Sequence, residues 1–229
     1  MPLRARLYIY AVAAVATAVL AGSLVHGFAF PDPARFLAYA SLACIASTMK
    51  VRLPGLRASI SVNFVFILMA VAGLTLAETL ILSIPATVVQ CLWRPKTRPK
   101  PIQIVFNASV VAIASALAYL IAHLIPGEPD SIAALAPAAT AYFVMNTGMV
   151  ALVISLVSNE RLPANWTRCH LWTFPYYLAG SSIAGLVANS SRSSGWRLSL
   201  LALPLLYLIY SYYLEYLSAQ RTLSSDDPA

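Results

Sequence analysis

Three asparagines stand in strongly apolar stretches of the sequence, and their side-chain amides are well suited to bind a polar molecule. Asn63 lies in SVNFVFIL, Asn107 in IVFNASVV and Asn146 in FVMNTGMVAL, at similar intervals along the chain. An amide both donates and accepts hydrogen bonds, and a polar side chain in an apolar segment needs a partner or a function. We predict that the three amides form a polar ligand cradle. Hydrogen bonding between packed helices is the structural alternative.

Glu78 is the acidic residue within the apolar stretch from Ile60 to Trp93. At an outer turn between two spans this carboxylate would simply be solvated. In a pair of half-helices that enters and leaves the same face of the membrane, it would point into the protein and become a candidate ligand or proton site. The candidate ligand-binding residues are therefore Asn63, Asn107, Asn146 and Glu78.

No other pattern of reactive residues points to catalysis. The sequence has no nucleophile–base pair, phosphate-binding loop or metalloprotease motif, and its three histidines and three cysteines show no metal-ligand spacing. We expect a protein that is not an enzyme and that needs no metal or cofactor.

The composition indicates a membrane protein. The chain has 229 residues, of which 60% are hydrophobic and only 10% charged, and its mean hydropathy is +0.76. Soluble domains carry about 25% charged residues. We predict an all-α integral membrane protein whose partner is the bilayer. The net charge of +7 fits loops that face anionic lipid head groups, so we expect no nucleic-acid partner.

Apolar runs of bilayer-spanning length predict a polytopic bundle of about eight transmembrane helices. The third and fourth runs together are barely long enough for two full crossings of the membrane. The alternative is six spans plus a re-entrant pair. Residues 1–221 would form a single transmembrane domain and residues 222–229 a disordered cytoplasmic tail. The predicted spans are 6–29, 34–49, 60–77, 78–93, 102–125, 132–157, 169–188 and 197–217.

The distribution of Lys and Arg predicts the sidedness of this bundle. With the N-terminus in the cytoplasm, alternating spans place every basic residue inside except Arg35, Arg192 and Arg197. This is the bias that orients membrane proteins. The prediction is N-in and C-in, in the inner membrane of a bacterium.

The segment WRPKTRPKP interrupts the apolar sequence between the predicted fourth and fifth spans. Its prolines disfavour helix and should make it a stiff, extended cytoplasmic connector. Such a segment serves either as a topology signal or as a docking or lipid-sensing loop. Its basic residues, the candidate cytoplasmic contact, are Arg94, Lys96, Arg98 and Lys100.

The chain from Ser59 to about Tyr216 resembles a bacterial family of membrane sensor regions. The resemblance rests on VNFVFIL, AETLILSIPATVVQCLWRPKTRPKPIQIVFN, YFVMNTGMVALVISL, CHLWTFPYYLAGSSIAGL and GWRLSLLALPLLYLIYSYYLEYL. Members of that family precede GGDEF or HD-GYP domains of cyclic-di-GMP signalling, and the resemblance implies an input module whose last helix leads into a cytoplasmic output domain. No such domain follows Arg221 here, so we expect a stand-alone member or a fragment of a longer protein.

Two functions from different classes fit these observations. The first is a non-enzymatic membrane sensor or transducer, which detects a small ligand or a membrane state and couples to a cytoplasmic signalling protein or domain. The alternative is a small-molecule transporter or substrate-capturing membrane subunit. A membrane-embedded enzyme is the least supported class, and the sequence leaves a homodimer open.

Overall fold

The computed structural model describes residues 1–27, 29–52, 59–95, 97–158, 161–169, 173–194 and 196–211, and these are nearly all helical. The predicted α-helical architecture is therefore confirmed, whereas the predicted tail at 222–229 lies outside the described residues. The helices are α1 (Leu3–Gly27), α2 (Pro33–Ala46), α3 (Asn63–Gly73), α4 (Leu76–Leu92), α5 (Pro101–Leu124), α6 (Ile132–Ser158), α7 (Leu162–Cys169), α8 (Phe174–Ser194), a 3-10 helix (Trp196–Leu201) and α9 (Ala202–Ser211).

A short β-hairpin joins α2 to α3, and the all-α prediction did not include it. Strand β1 (Lys50–Arg52) pairs antiparallel with β2 (Ser59–Ser61). As a result α2 ends at Ala46, before the predicted limit of 49, and α3 begins at Asn63, after the predicted limit of 60. The sequence between the strands contains Pro54 and Gly55, a pair that favours a turn over a continuing helix.

The predicted seventh span, 169–188, corresponds to α8, which begins later, at Phe174, and continues to Ser194. The short α7, which ends at Cys169, lies mostly in the predicted link before this span. Pro175 occupies the second position of α8, where proline fits a helix start. The indole Nε1 of Trp166 donates to Thr147 Oγ1 at 2.9 Å and ties α7 to α6.

Helix α3 lies at the centre of the bundle and is buried on every side. All its residues from Asn63 to Val71 are buried, and it packs against α2, α4, α5, α6 and α8. A helix that is apolar all round must be enclosed by protein or lipid, and here protein encloses it. At 11 residues it is about 16 Å long, roughly half of the ~30 Å hydrocarbon core.

Arg35 from α2 covers the C-terminal end of α3. A Cβ atom added at Gly73 would overlap the Arg35 guanidinium, so the close approach depends on glycine. The same guanidinium lies 5.5 Å from the centre of the Tyr39 ring. A positive charge at this position is favourable, because the exposed carbonyls of a helix C-terminus carry partial negative charge.

The helices bring most of the described charge to the two ends of the bundle. Tyr8 near the start of α1 packs on Phe106 near the start of α5, and Lys50 Nζ of the hairpin donates to the carbonyl of Trp93 after α4. This end, called the basic end below, carries the exposed residues Arg4, Arg6, Arg94, Arg98 and Lys100. The α1–α2 and α5–α6 links, at the opposite end, contain Asp32, Glu128 and Asp130.

Three of the described helices are long and apolar enough to cross a membrane: α1, α5 and α6. The apolar helices α2, α3, α4 and α9 are shorter, at 10–17 residues. The structure supports a multi-helix membrane bundle of this kind, while eight full crossings and the N-in, C-in orientation stay predictions.

The turn between α3 and α4 encloses Glu78, whose side chain is only 1% exposed. Thr75 Oγ1 accepts a hydrogen bond from the Glu78 N–H at 3.2 Å, and Glu78 Oε2 accepts bonds from the N–H and hydroxyl of Thr75 at 2.8 and 2.9 Å. This reciprocal cap begins α4. The interpretation of Glu78 as a solvated turn residue is therefore wrong, and the carboxylate faces the protein.

We expect Thr75→Ala to destabilise the protein by about 1 kcal/mol, because it removes the hydroxyl from this cap. For a chain of this size the melting temperature Tm should fall by about 2–4 °C. Thermal unfolding of the purified protein in detergent, followed by far-UV circular dichroism, measures the change. Thr75→Ser retains the hydroxyl and is the control, so an equal loss in both variants would contradict the capping role.

We also expect Gly180→Ala to destabilise the contact between α8 and α3. A Cβ at Gly180 would overlap the ring of Phe64, whereas a Cβ at Gly148 on α6 meets nothing within 4 Å. Overpacking in a core costs about 1–3 kcal/mol, while Gly→Ala at an open helix position is favourable by about 0.5–1 kcal/mol. The same unfolding assay should therefore show a lower Tm for Gly180→Ala and an equal or higher Tm for Gly148→Ala. Equal values for the two variants would contradict the tight α3–α8 packing.

Candidate functional site

The three asparagines predicted as a cradle line a single cavity at the basic end of the bundle. Asn63 is the first residue of α3, Asn107 lies in the second turn of α5, and Asn146 lies in the middle of α6. The cavity has a volume of about 330 Å³. Residues far apart in sequence thus face one space, and the fold positions all three amides around it.

Each asparagine donates a hydrogen bond to a residue of another helix. Asn63 Nδ2 donates to Gln90 Oε1 on α4 at 3.2 Å. Asn107 Nδ2 donates to Cys91 Sγ, also on α4, at 3.4 Å, and Asn146 Nδ2 donates to the Tyr177 hydroxyl on α8 at 3.4 Å. Sulfur is a weak acceptor, the bond to Tyr177 is long, and the bond to Gln90 is at the upper end of the usual range. The amides therefore link five helices through weak bonds that a ligand can replace.

The rest of the cavity wall is rich in hydroxyl groups. Sequence reasoning did not select these side chains, because Ser, Thr and Tyr residues are common along the chain and most of these stand next to apolar residues. Two positions in the sequence could have indicated them. Thr147 directly follows Asn146, and Thr87 precedes Gln90 by about one helical turn. The hydroxyl-bearing lining residues are Ser61, Thr87, Tyr142, Thr147, Thr173 and Tyr177.

Lys50 is the charged residue among the described residues that line the cavity. Its Nζ donates to the carbonyl of Trp93 at 2.6 Å, which places a positive charge at the mouth. The described lining includes no carboxylate. Amides, hydroxyls and one ammonium group can hold a small neutral or anionic polar molecule, and they provide no evident acid–base pair for catalysis.

Aromatic rings hold Tyr177 in place at the cavity wall. Its ring centre lies 4.7 Å from that of Phe64 and 5.1 Å from that of Phe143, both in tilted arrangements. Such pairs contribute about 0.5–1.5 kcal/mol beyond the area that they bury. The hydroxyl that accepts from Asn146 is therefore fixed by core packing between α3, α6 and α8.

Glu78 lies apart from the three asparagines. It is at the start of α4, whereas the cavity is lined by Thr87, Gln90 and Cys91 from the other end of that helix. The structure therefore does not bring the fourth candidate into the cradle. Within the described residues no group of three or more His, Cys, Asp or Glu is placed to hold a metal ion.

The segment WRPKTRPKP, called the basic segment below, links α4 to α5 at the basic end of the bundle. Lys100 has φ −70° and ψ 148°, an extended conformation, and its N–H donates to Gln103 Oε1 at 2.8 Å as α5 begins. Arg94 has a positive φ of 41°, and its guanidinium lies 5.7 Å from the Trp93 ring. Arg94, Arg98 and Lys100 are exposed, and Lys96 lies outside the described residues.

Comparison with known proteins gives one family match. The family model of MASE9 matches residues 35–216, which is most of the chain. No curated protein and no solved structure matches the sequence. The match covers α2 to α9, and therefore the asparagine cavity and the basic segment. The resemblance to a membrane sensor region is thus confirmed at the level of the family, and the chain belongs to MASE9, a family of membrane-associated sensor domains.

Proposed function

We propose that this chain is a non-enzymatic sensor module of the bacterial inner membrane, in which a small polar ligand binds in the asparagine cavity. The observation that carries the proposal is the convergence of Asn63, Asn107 and Asn146 on one space. Polar residues within a bundle are costly in an apolar setting, and three of them around one cavity are typical of a binding site. A sensor role agrees with the family.

The weak bonds of the amides supply a physical route from binding to helix movement. A ligand changes an equilibrium between two packings only if it binds one of them more tightly. Replacing the bond from Asn107 to Cys91 removes one link between α5 and α4, and replacing the bond from Asn146 to Tyr177 removes one between α6 and α8. A ligand that bridges these groups therefore favours a different spacing of the four helices.

Lys50 connects the cavity to the surface at the basic end. Its side chain lines the cavity and donates to the Trp93 carbonyl, which directly precedes Arg94. A change in the cavity can thus move the start of the basic segment without an intermediate element. We propose that Arg94 and its neighbours Lys96, Arg98 and Lys100 present this change to a cytoplasmic signalling protein or domain, alongside the last helix.

A transporter or substrate-capturing subunit is the second candidate, and the short α3 favours it. Transporters often build their binding sites at the ends of discontinuous helices buried in the bundle. Here α3 is an 11-residue buried helix whose first residue, Asn63, lines the cavity. The sensor is the preferred function because it is the role of the family.

Thermal-shift screening of the purified chain against small polar metabolites tests the binding site. We expect a compound of this class to raise the Tm by about 5–10 °C at a hundredfold excess over its Kd, and Asn107→Leu to abolish the shift. Asn189→Leu, at an exposed position of α8, is the matched control and should keep the shift. A shift that Asn107→Leu leaves intact, or no shift together with an unchanged Tm for this variant, would contradict the cradle.

The compound found in this way also separates the two candidate functions. Vesicles that contain only this chain should bind the radiolabelled compound but not accumulate it against a gradient, because a sensor needs no alternating access. Empty vesicles and vesicles with the Asn107→Leu variant are the controls. Accumulation that depends on Asn107 would replace the sensor with a transporter.

A further inference from the structure

A second space at the basic end differs in chemistry from the asparagine cavity. It is a groove of about 450 Å³ between α1, α5, α6 and the basic segment. The lining residues on α6 recur at intervals of three and four residues and therefore lie on one face of the helix. These lining residues are Val150, Val153, Ile154, Val157 and Ser158 on α6, with Ile9 on α1 and Ile102 and Phe106 on α5.

The groove has the length and polarity of a site for one acyl chain in a single leaflet. From Val150 to Ser158 it follows α6 for about 12 Å, compared with about 15 Å for half of the hydrocarbon core. On α6 its wall is apolar from Val150 to Val157, and Ile154 and Val157 are 40% and 52% exposed. The polar lining residues are Thr97, Gln103, Asn107 and Ser158.

Cations surround the open end of this groove. Thr97 and Pro99 line it, so Arg98 lies between two lining residues and Lys100 directly follows the second. Both cations are exposed, and so are Arg4 and Arg6 near the start of α1. Ile9 of α1 and Met1, which precedes this helix, also line the groove. The described acidic residues are Asp32, Glu78, Glu128 and Asp130, none of which lines the groove, and Glu160 lies outside the described residues.

We propose that this groove binds an anionic phospholipid, with one acyl chain along α6 and the phosphate beside Arg98 and Lys100. The positive charge at the rim selects the occupant. Each basic residue near an anionic head group contributes favourable binding energy, whereas a zwitterionic head group with no net charge gains little. The largely apolar lining favours a lipid over a free phosphate ion as the occupant.

The lipid would also touch the wall of the asparagine cavity. Asn107 and Val150 line both spaces, so they form part of a shared wall. If the proposed function holds, lipid occupancy influences the position of the amide that contacts the ligand. The lipid site itself does not rest on the ligand, since its evidence is the groove and its basic rim.

Native mass spectrometry of the purified full chain with phosphatidylglycerol or phosphatidylcholine tests the lipid site. We expect one phosphatidylglycerol to be retained at detergent and lipid concentrations that remove phosphatidylcholine. The double variant Arg98→Gln, Lys100→Gln should lose about 25-fold in affinity for phosphatidylglycerol, at about fivefold for each cation, and keep its affinity for phosphatidylcholine. Arg197→Gln, an exposed cation outside this end, is the charge control.

A second pair of variants tests the groove rather than its charge. Val157→Phe places a larger side chain at a half-exposed position in the groove and should reduce phosphatidylglycerol binding at least tenfold. Val144→Phe is the matched control, because Val144 is similarly exposed on α6 and does not line the groove. Equal losses for Arg98→Gln, Lys100→Gln and for Arg197→Gln, or full binding by Val157→Phe, would overturn the proposal. Neither result would bear on the metabolite screen, which uses a different probe and cavity.

Discussion

The enclosure of α3 is the constraint on which the rest of the structure depends. A helix of about 16 Å cannot cross the hydrocarbon core, and the unpaired backbone groups at its ends cannot be left in lipid. The surrounding helices must therefore bury its sides and satisfy both ends. Arg35 covers the C-terminal end across Gly73, and the N-terminal end opens into the polar cavity at Asn63. The asparagine cavity is thus a consequence of how a short central helix is accommodated.

Weak polar links and dense apolar packing have separate roles around this helix. The rings of Phe64, Phe143 and Tyr177 interlock α3, α6 and α8, and Gly180 allows α8 to approach α3 closely. The amide bonds at the basic end are weak, since one has a sulfur acceptor and the other two measure 3.2 and 3.4 Å. The bundle is therefore rigid in its centre and adjustable where the cavity lies, which is the arrangement that a ligand-dependent change of packing requires.

The basic end combines three features that are separate in the sequence: the asparagine cavity, the apolar groove and the positively charged segment. Lys50 connects the cavity to Trp93, and Asn107 separates the cavity from the groove. A polar ligand and a lipid would therefore act on the same few residues, next to the surface that faces a cytoplasmic partner in the predicted orientation. This proximity gives a sensor of membrane state and a sensor of a small molecule a common structural basis.

The sequence by itself determined the class of protein and most helix positions, and it singled out the three asparagines that line the cavity. Apolar runs specify helices because the bilayer admits few other structures, and Asn63, Asn107 and Asn146 were conspicuous because amides are costly there. Only the tertiary structure decided that the three amides share one cavity, that Glu78 caps α4 away from them, and that Thr147 and Tyr177 complete the wall. Hydropathy also missed the hairpin at Val51 and the short α7, because it records burial in an apolar medium and not backbone geometry. Which helices touch depends on long-range packing, such as that of Gly180 on Phe64, and local sequence carries little of that information.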